Sequence, residues 1–509
     1  MRQVIFLLFT LLALLPVKAT AQLIQLDSLW LKEDVERLAS ANILDVPVNT
    51  WPLSAKALRI ALDQVDVTAL DDDQNMAFER LNRVVNNSRS SVSSRLALQL
   101  STEDSVFFDA SEGMRARNGL EFSSQFARSA FKQNDDVAAI DTYRYWGDFR
   151  TRIVSDVDRD TLRYDGSVLG ATLGNWLVSV GKQDRWWGDG WRHSLILSNN
   201  ARPTTSLALQ RDYPYAFESP WLSWIGPWSA NVFLGLLDDE RVVEDAKLFG
   251  MSLQFRPHSN VDIGLRRTAQ WGGEDREETL SNFVDLLIGK DNCDESNQEA
   301  GIACNDRSQE PGNQLAGIDI SFRRLFGQPI KSSLQVVGED EAGFAPAKNT
   351  FTASLRYFGS YRTMPVTINL EAVETKVLTS DDAEYNIFYE HSIYRTGYRY
   401  EGRSIGSTLD NDSSALHLDA MVRTSSFGDY LVGLSVIDLN ADGRGDRHTL
   451  VSEAESVSQL HLDWRYRLLE NINATHDLDL KFTLRDETLE TRLGTLDQFS
   501  MRVAYQVAF

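Results

Sequence analysis

Six of the twelve tryptophans fall between Gly181 and Trp228, in GKQDRWWGDGWRHSLILSNNARP and FESPWLSWIGPW. Indoles mixed with arginine and acid suit two physical jobs: stacking on the apolar faces of sugar rings, or standing at a membrane interface with one edge wet. Arg185, Trp186, Trp187, Trp191 and Arg192 form the candidate polysaccharide-binding group. Their indoles can stack on pyranose rings, and their guanidinium groups match uronate or pyruvyl carboxylates bidentately. The competing reading packs the same residues into a girdle or an internal plug, with Gly188 and Gly190 freeing the backbone to fold back. Trp221, Trp224 and Trp228 lean toward the girdle, because Pro220 and Pro227 mark a turn at a rim.

A second candidate is Asp438-Leu439-Asn440-Ala441-Asp442-Gly443, followed by Asp446. Alternating oxygen ligands ahead of a glycine turn open a calcium loop. Thr449 stands where the bidentate glutamate belongs and strand patterns flank the motif. Ca2+ held in an external loop by Asp438, Asn440 and Asp442 therefore competes with a solvated acidic loop. Cys293 and Cys304, the only cysteines, lie in DNCDESNQEAGIACND, where a disulfide would staple a loop and two free thiols are the alternative. In YRYEGRSIGSTLDND, Tyr398, Arg399, Tyr400 and Arg403 alternate as on a strand, with Asp410 and Asp412 following in a loop. No HExxH, nucleophile elbow or paired zinc spacing occurs, so the chain reads as a binding protein and not an enzyme.

The elements that must position these residues begin with a leader. Arg2, an apolar run from Val4 to Leu15, Pro16 and the small site Ala19-Thr20-Ala21 make a secretory signal peptide over 1–21, cleaved before Gln22. No later stretch of eighteen apolar residues exists, so a membrane role requires a barrel. The formal charge of −22 argues against nucleic acid as a partner. Residues 22–92 read as a periplasmic helical bundle, with Asp27, Ser54 and Thr68 as helix caps.

From about Ser94 the hydrophobic period switches to two and stays there, which predicts a mainly β fold over 93–509: a transmembrane antiparallel barrel. The last run is the clearest, with Phe499, Met501, Val503, Tyr505, Val507 and Phe509 on one face. About eighteen alternating runs are expected, among them 167–182, 259–272 and 392–405. The segment around Cys293 should be external but follows an even-numbered run. That conflict suggests one early run too many and one strand missed near Tyr385–Tyr400, two errors that cancel in the total.

The tryptophan block, the later RRTAQWGGE, QVVGEDEAG and YRYEGRSIGSTLDND, and the helical LKEDVERLASANILDVPVNTWPL together resemble the Wzi family of capsule assembly proteins. The resemblance spans nearly the whole mature chain. It implies an eighteen-stranded outer-membrane barrel with a periplasmic helical bundle at its inner mouth. The implied function is that of a cell-surface lectin that binds, organises or attaches exported capsular or extracellular polysaccharide beside separate export machinery, with outer-membrane lipid as the surrounding partner. Family members commonly have Gly-His after Arg-x-Ile, where this chain has Ser407, which puts a role for histidine there in doubt. A porin or saccharide channel is the rival from another class.

Overall fold

The computed structural model describes residues 22–87, 93–111, 113–129, 143–155, 161–276, 278–287, 312–342, 345–378, 383–424, 428–470 and 474–509. The leader, Cys293 and Cys304 lie outside the described residues.

Three helices come first: α1 (Leu29–Ser40), α2 (Ala55–Asp63) and α3 (Asp72–Asn87). Ser54 caps α2 as expected, its hydroxyl accepting from Ala57 N at 3.2 Å. The other two caps differ from the sequence expectation. Ser28, not Asp27, accepts from Leu31 N and starts α1. Thr68 sits in a 3-10 turn capped by Asp66, and α3 begins after Asp71, whose N–H is taken by the Gln74 side chain at 3.2 Å.

Among the described residues eighteen strands then close a barrel, with the two-residue strand Leu162–Arg163 pairing as an extra beside Tyr143–Ser155. The first nine are β1 (Ser93–Ser101), β2 (Asn118–Ser129), β3 (Tyr143–Ser155), β4 (Val168–Leu173), β5 (Trp176–Lys182), β6 (Thr205–Arg211), β7 (Trp228–Leu236), β8 (Lys247–His258) and β9 (Val261–Trp271). The second nine are β10 (Gly312–Phe322), β11 (Ile330–Ala342), β12 (Ala345–Tyr361), β13 (Met364–Glu374), β14 (Ser414–Arg423), β15 (Asp429–Leu439), β16 (Glu455–Glu470), β17 (Thr475–Arg485) and β18 (Phe499–Ala508). All neighbours are antiparallel, and β18 closes on β1 with Ala508 opposite Arg95. Phe509 N and O pair with Ser94 at 2.8 and 2.9 Å, so the terminal aromatic finishes the seam.

The side-chain pattern is inverted relative to a water-soluble sheet. On β14, Leu416 and Leu418 face out while His417 and Asp419 are buried; on β15, Leu434 and Val436 face out while Ser435 is buried. Apolar side chains outward and polar ones inward is the arrangement that lipid requires of a barrel.

The strand total matches the sequence reading, but by errors opposite in sense to those suspected. Run 167–182 is two strands, β4 and β5, joined by a turn at Gly174-Asn175 with Leu173 opposite Trp176. Run 392–405 is no barrel strand; it holds only the small hairpin Arg399–Tyr400 with Arg403–Ser404. The extra early strand makes 261–271 the ninth, so the cysteine segment follows an odd strand. Odd-numbered strands lead into most of the long loops, and the helices meet the opposite rim. Arg37 on α1, for example, donates to Gly359 O at 3.1 Å and Val366 O at 3.2 Å beside the β12–β13 turn.

Helix α1 stops this mouth of the barrel with charges that the barrel wall completes. Glu36 meets Lys32 at 3.0 Å, Arg356 of β12 at 2.6 Å and Lys331 of β11 at 3.5 Å. Arg423 of β14 reaches Glu33 and Asp34 at 3.1 and 3.2 Å. Burial alone would push Glu33 up, but Arg37 and Arg423 hold it down at about 2. Removing one partner from such a buried network strands the others without compensation, a cost of about 3–5 kcal/mol.

Candidate functional site

The tryptophan block leaves β5 and turns down into the lumen. There Trp186 pairs with Trp51 and Trp187 with Thr50, so a loop from the rim opposite the helices and the N-terminal segment form a two-stranded ribbon inside the barrel. All five members of the candidate sugar group are buried: Trp187 and Trp191 are 0% exposed, Trp186 1%, Arg185 6% and Arg192 8%. No ring face is open for a pyranose. Trp186 and Trp191 pack with Trp51 and the apolar faces of the helices. Trp187 instead joins an upper cluster with Leu195, Phe233, Tyr389 and Tyr398. The turn between them is the joint of two hydrophobic cores.

Polar partners from distant strands fix that turn. Glu371 of β13 accepts backbone N–H groups of Trp191, Arg192 and His193 at 2.7, 3.1 and 2.8 Å. Gly190 makes room for this carboxylate, since a Cβ there would lie 2.2 Å from His193 O and 2.6 Å from Glu371 Oε1. The Trp191 indole donates to Glu36 at 2.9 Å, and Arg356 lies 4.6 Å over its ring. Asp189 takes the Ser321 hydroxyl at 2.6 Å and the Lys331 ammonium.

The two arginines are spent on internal contacts. Arg192 pairs with Asp419 at 2.5 Å and Asp109 at 3.1 Å. Arg185 lies 4.1 Å over Phe233 and donates to Ser206 at 3.0 Å. Burial, only partly offset by Asp184, brings the Arg185 guanidinium down to about 9.

More of the plug comes from residues 375–378 and 383–413, part of which sequence periodicity places in the wall. Tyr389 and Tyr398 stack at 5.7 Å and donate to Leu195 O and Ile196 O at 2.7 and 2.9 Å. Arg399 bridges Glu390 at 2.7 Å and Asp410 at 3.0 Å. Gly397 and Gly402, both in the left-handed region, were the available sign of a turn. Ser407 lies 3.3 Å from His193 Nδ1, and His193 Nε2 meets His417 Nε2 at 2.8 Å. Burial lowers the His193 pKa well below the usual imidazole value, so His193 is a packed, neutral element of the plug.

The calcium motif does not converge. Asp438 points outward from β15 and accepts from Ser456 at 2.5 Å, whereas Asn440 is buried on the other side. Asp442 accepts from the Asn386 side chain and from Arg444 N. Among the described residues no group of three or more His, Cys, Asp or Glu is placed to hold a metal ion. At the opposite rim Trp221 and Trp224 stand 86% and 61% exposed, while Trp228 stacks on Phe217 at 4.9 Å.

What the sequence patterns missed is the lip at the end of the barrel away from the helices. Asn386 bonds to Asp442 and so brings Tyr385 beside the 440–454 loop. Tyr385 is 42% exposed, and the side chains of Arg444 and Arg447 are 71% and 45% exposed. Arg492 joins them by donating to Gly445 O.

These features define a plugged transmembrane β-barrel of eighteen strands, stoppered from one side by helices and from the other by its own loops. The sequence pattern of the capsule assembly protein Wzi family matches residues 88–481, and the chain belongs to that family. Its fold is shared by Escherichia coli Wzi, described as an outer membrane protein involved in group 1 capsule assembly and as a carbohydrate-binding β-barrel. The TM-score is 0.80 over 96% of this chain and 99% of that one, at 22% identity. An uncharacterised 55.8 kDa protein from the cps region of Klebsiella pneumoniae is 34% identical over 204 residues, 40% of this chain and 38% of that protein. The match to that relative thus spans well under half its length.

Proposed function

We propose that this chain, freed of its 1–21 leader, sits in the bacterial outer membrane and binds extracellular polysaccharide on its outer lip. It holds or organises polymer that separate machinery exports. The observation that carries this reading is the division of labour between the two aromatic-arginine groups. The tryptophan block is consumed in sealing the lumen, while Tyr385, Arg444, Arg447 and Arg492 stand at the outer end with exposed ring and guanidinium groups. An exposed aromatic ring with arginines around it can stack on a sugar and pair with its carboxylate.

The description of the E. coli protein as carbohydrate-binding supports the same reading. A plug filling the space that a porin keeps open favours it over transport. Binding is non-covalent and weak per site, and a repeating polymer multiplies it through avidity. The test is to immobilise the full-length protein and pass over it the cell's own extracellular polymer, intact and cut to short oligomers. The expected result is saturable binding that strengthens with polymer length. No binding of intact polymer by folded protein overturns the proposal.

A further inference from the structure

The plug does not fill the lumen evenly. On one wall the inward charges are sealed, with the side chains of Arg266, Arg356 and Asp419 0% exposed and that of Lys331 3%. Along β16 and β17 they are not: Lys481 is 25% exposed, Asp463 20%, Arg465 22% and Asp479 29%.

Two cavities follow this second wall. One, of about 90 Å³, lies under the 102–109 loop and reaches Arg485 and Leu496 at the outer end. The other, of about 140 Å³, reaches Asp27 and Trp30 at the helical end. Lys481 and Arg502 line both, so the two form one seam with a charged septum. Polar atoms along it lack protein partners: Gln459 Oε1, Arg485 Nε and Asp463 Oδ1 make no hydrogen bond among the described residues. Buried groups of this kind are satisfied by water, and cavities of these sizes hold roughly six and nine molecules at ~15 Å³ each.

We propose that this seam is a hydrated path by which small ions, but not sugars, cross the barrel, with Lys481 and Arg502 as its anion-preferring constriction. Three cations there, Lys481, Arg502 and Arg192, face two acids, Asp463 at 3.7 Å from Lys481 and Asp109 at 3.1 Å from Arg192, and lysine or arginine at a narrow point favours anions. The path is separate from the polymer-binding lip, so failure of either reading leaves the other standing.

The test uses full-length protein in planar bilayers under a salt gradient, with heat-modifiable mobility on gels confirming a folded barrel. Wild type is expected to carry a small steady current whose reversal potential reports anion preference. The double variant Lys481→Glu/Arg502→Glu is expected to reverse the sign of that potential. Ala504→Trp, at an inward position lining the lower cavity, is expected to abolish the current. No wild-type current above the bare bilayer overturns the proposal, as does an unchanged reversal potential in the double variant or an unchanged current in Ala504→Trp.

Discussion

Replacing Gly190 by alanine tests whether the tryptophan turn is a structural joint. Gly190 is not in the left-handed region, so the constraint is space and not backbone strain. The new Cβ would stand 2.2 Å from the backbone oxygen of His193, which has no rotamer to escape into, and 2.6 Å from Glu371 Oε1. The 190–193 turn must therefore move by about an ångström, pulling the backbone N–H groups of Trp191, Arg192 and His193 away from Glu371. Hydrogen bonds to a charged partner contribute about 1.5–3 kcal/mol each. Losing two of the three costs about 3–6 kcal/mol, most of it borne by the plug, because the barrel ladder does not pass through this turn. The assay is acrylamide quenching of tryptophan fluorescence, with heat-modifiability monitoring the barrel. Gly190→Ala should raise the quenchable fraction as Trp186, Trp187 and Trp191 become accessible, while the barrel stays folded. Wild-type quenching in a folded Gly190→Ala protein would show that the turn is not a structural joint.

Other expectations follow from the same contacts. Burial, and then Asp442, Asp410 and Glu390, push the Asp412 pKa up to about 7 from an ordinary value of 3.8. A raised folded-state pKa means that the contribution of Asp412 to stability is fully present below about pH 4 and is lost as pH rises to about 7, by about 4 kcal/mol at most. Asp412→Asn should flatten that slope, as read from urea midpoints of plug fluorescence at pH 5 and pH 8; an unaltered slope would show that Asp412 does not set it. Glu36→Gln leaves Lys32, Lys331 and Arg356 facing an uncharged amide, at a cost of about 3–5 kcal/mol. Limited proteolysis should then cut the N-terminal helices before the barrel, and equal resistance in both proteins would count against the charge stopper. Trp187→Ala opens a cavity in the upper cluster costing about 3–5 kcal/mol, seen as a lower urea midpoint of plug fluorescence; a midpoint equal to wild type would contradict the packing.

The barrel was legible in sequence because lipid outside and a polar lumen inside impose a strict period of two, as in Leu416, His417, Leu418 and Asp419. The same logic caused the strand errors. The two-residue turn at Gly174-Asn175 barely interrupts the alternation of its flanks. The plug around Tyr394, Tyr398 and Tyr400 mixes apolar and polar residues much as the wall does, so local periodicity could not separate the two. The tryptophan block was visible as dense and turn-bound, with a plug among its readings. Its placement depends on Glu36 and Glu371, respectively 155 and 180 residues from Trp191, which no local pattern reports. The outer lip was invisible because it depends on a loop-to-loop contact, Asn386 with Asp442.

In the proposed function polymer is held by the lip, and the tryptophan block holds the lip's foundation. The most direct measurement is binding of the cell's own polymer to the triple variant Tyr385→Ala/Arg444→Ala/Arg447→Ala, set beside Trp187→Ala and wild type under conditions where all three are folded. Binding by the triple variant should be about tenfold weaker or more, about 1.4 kcal/mol, and binding by Trp187→Ala near that of wild type. Undiminished binding by the triple variant, with loss in folded Trp187→Ala, would contradict it and return the tryptophan block to the sugar.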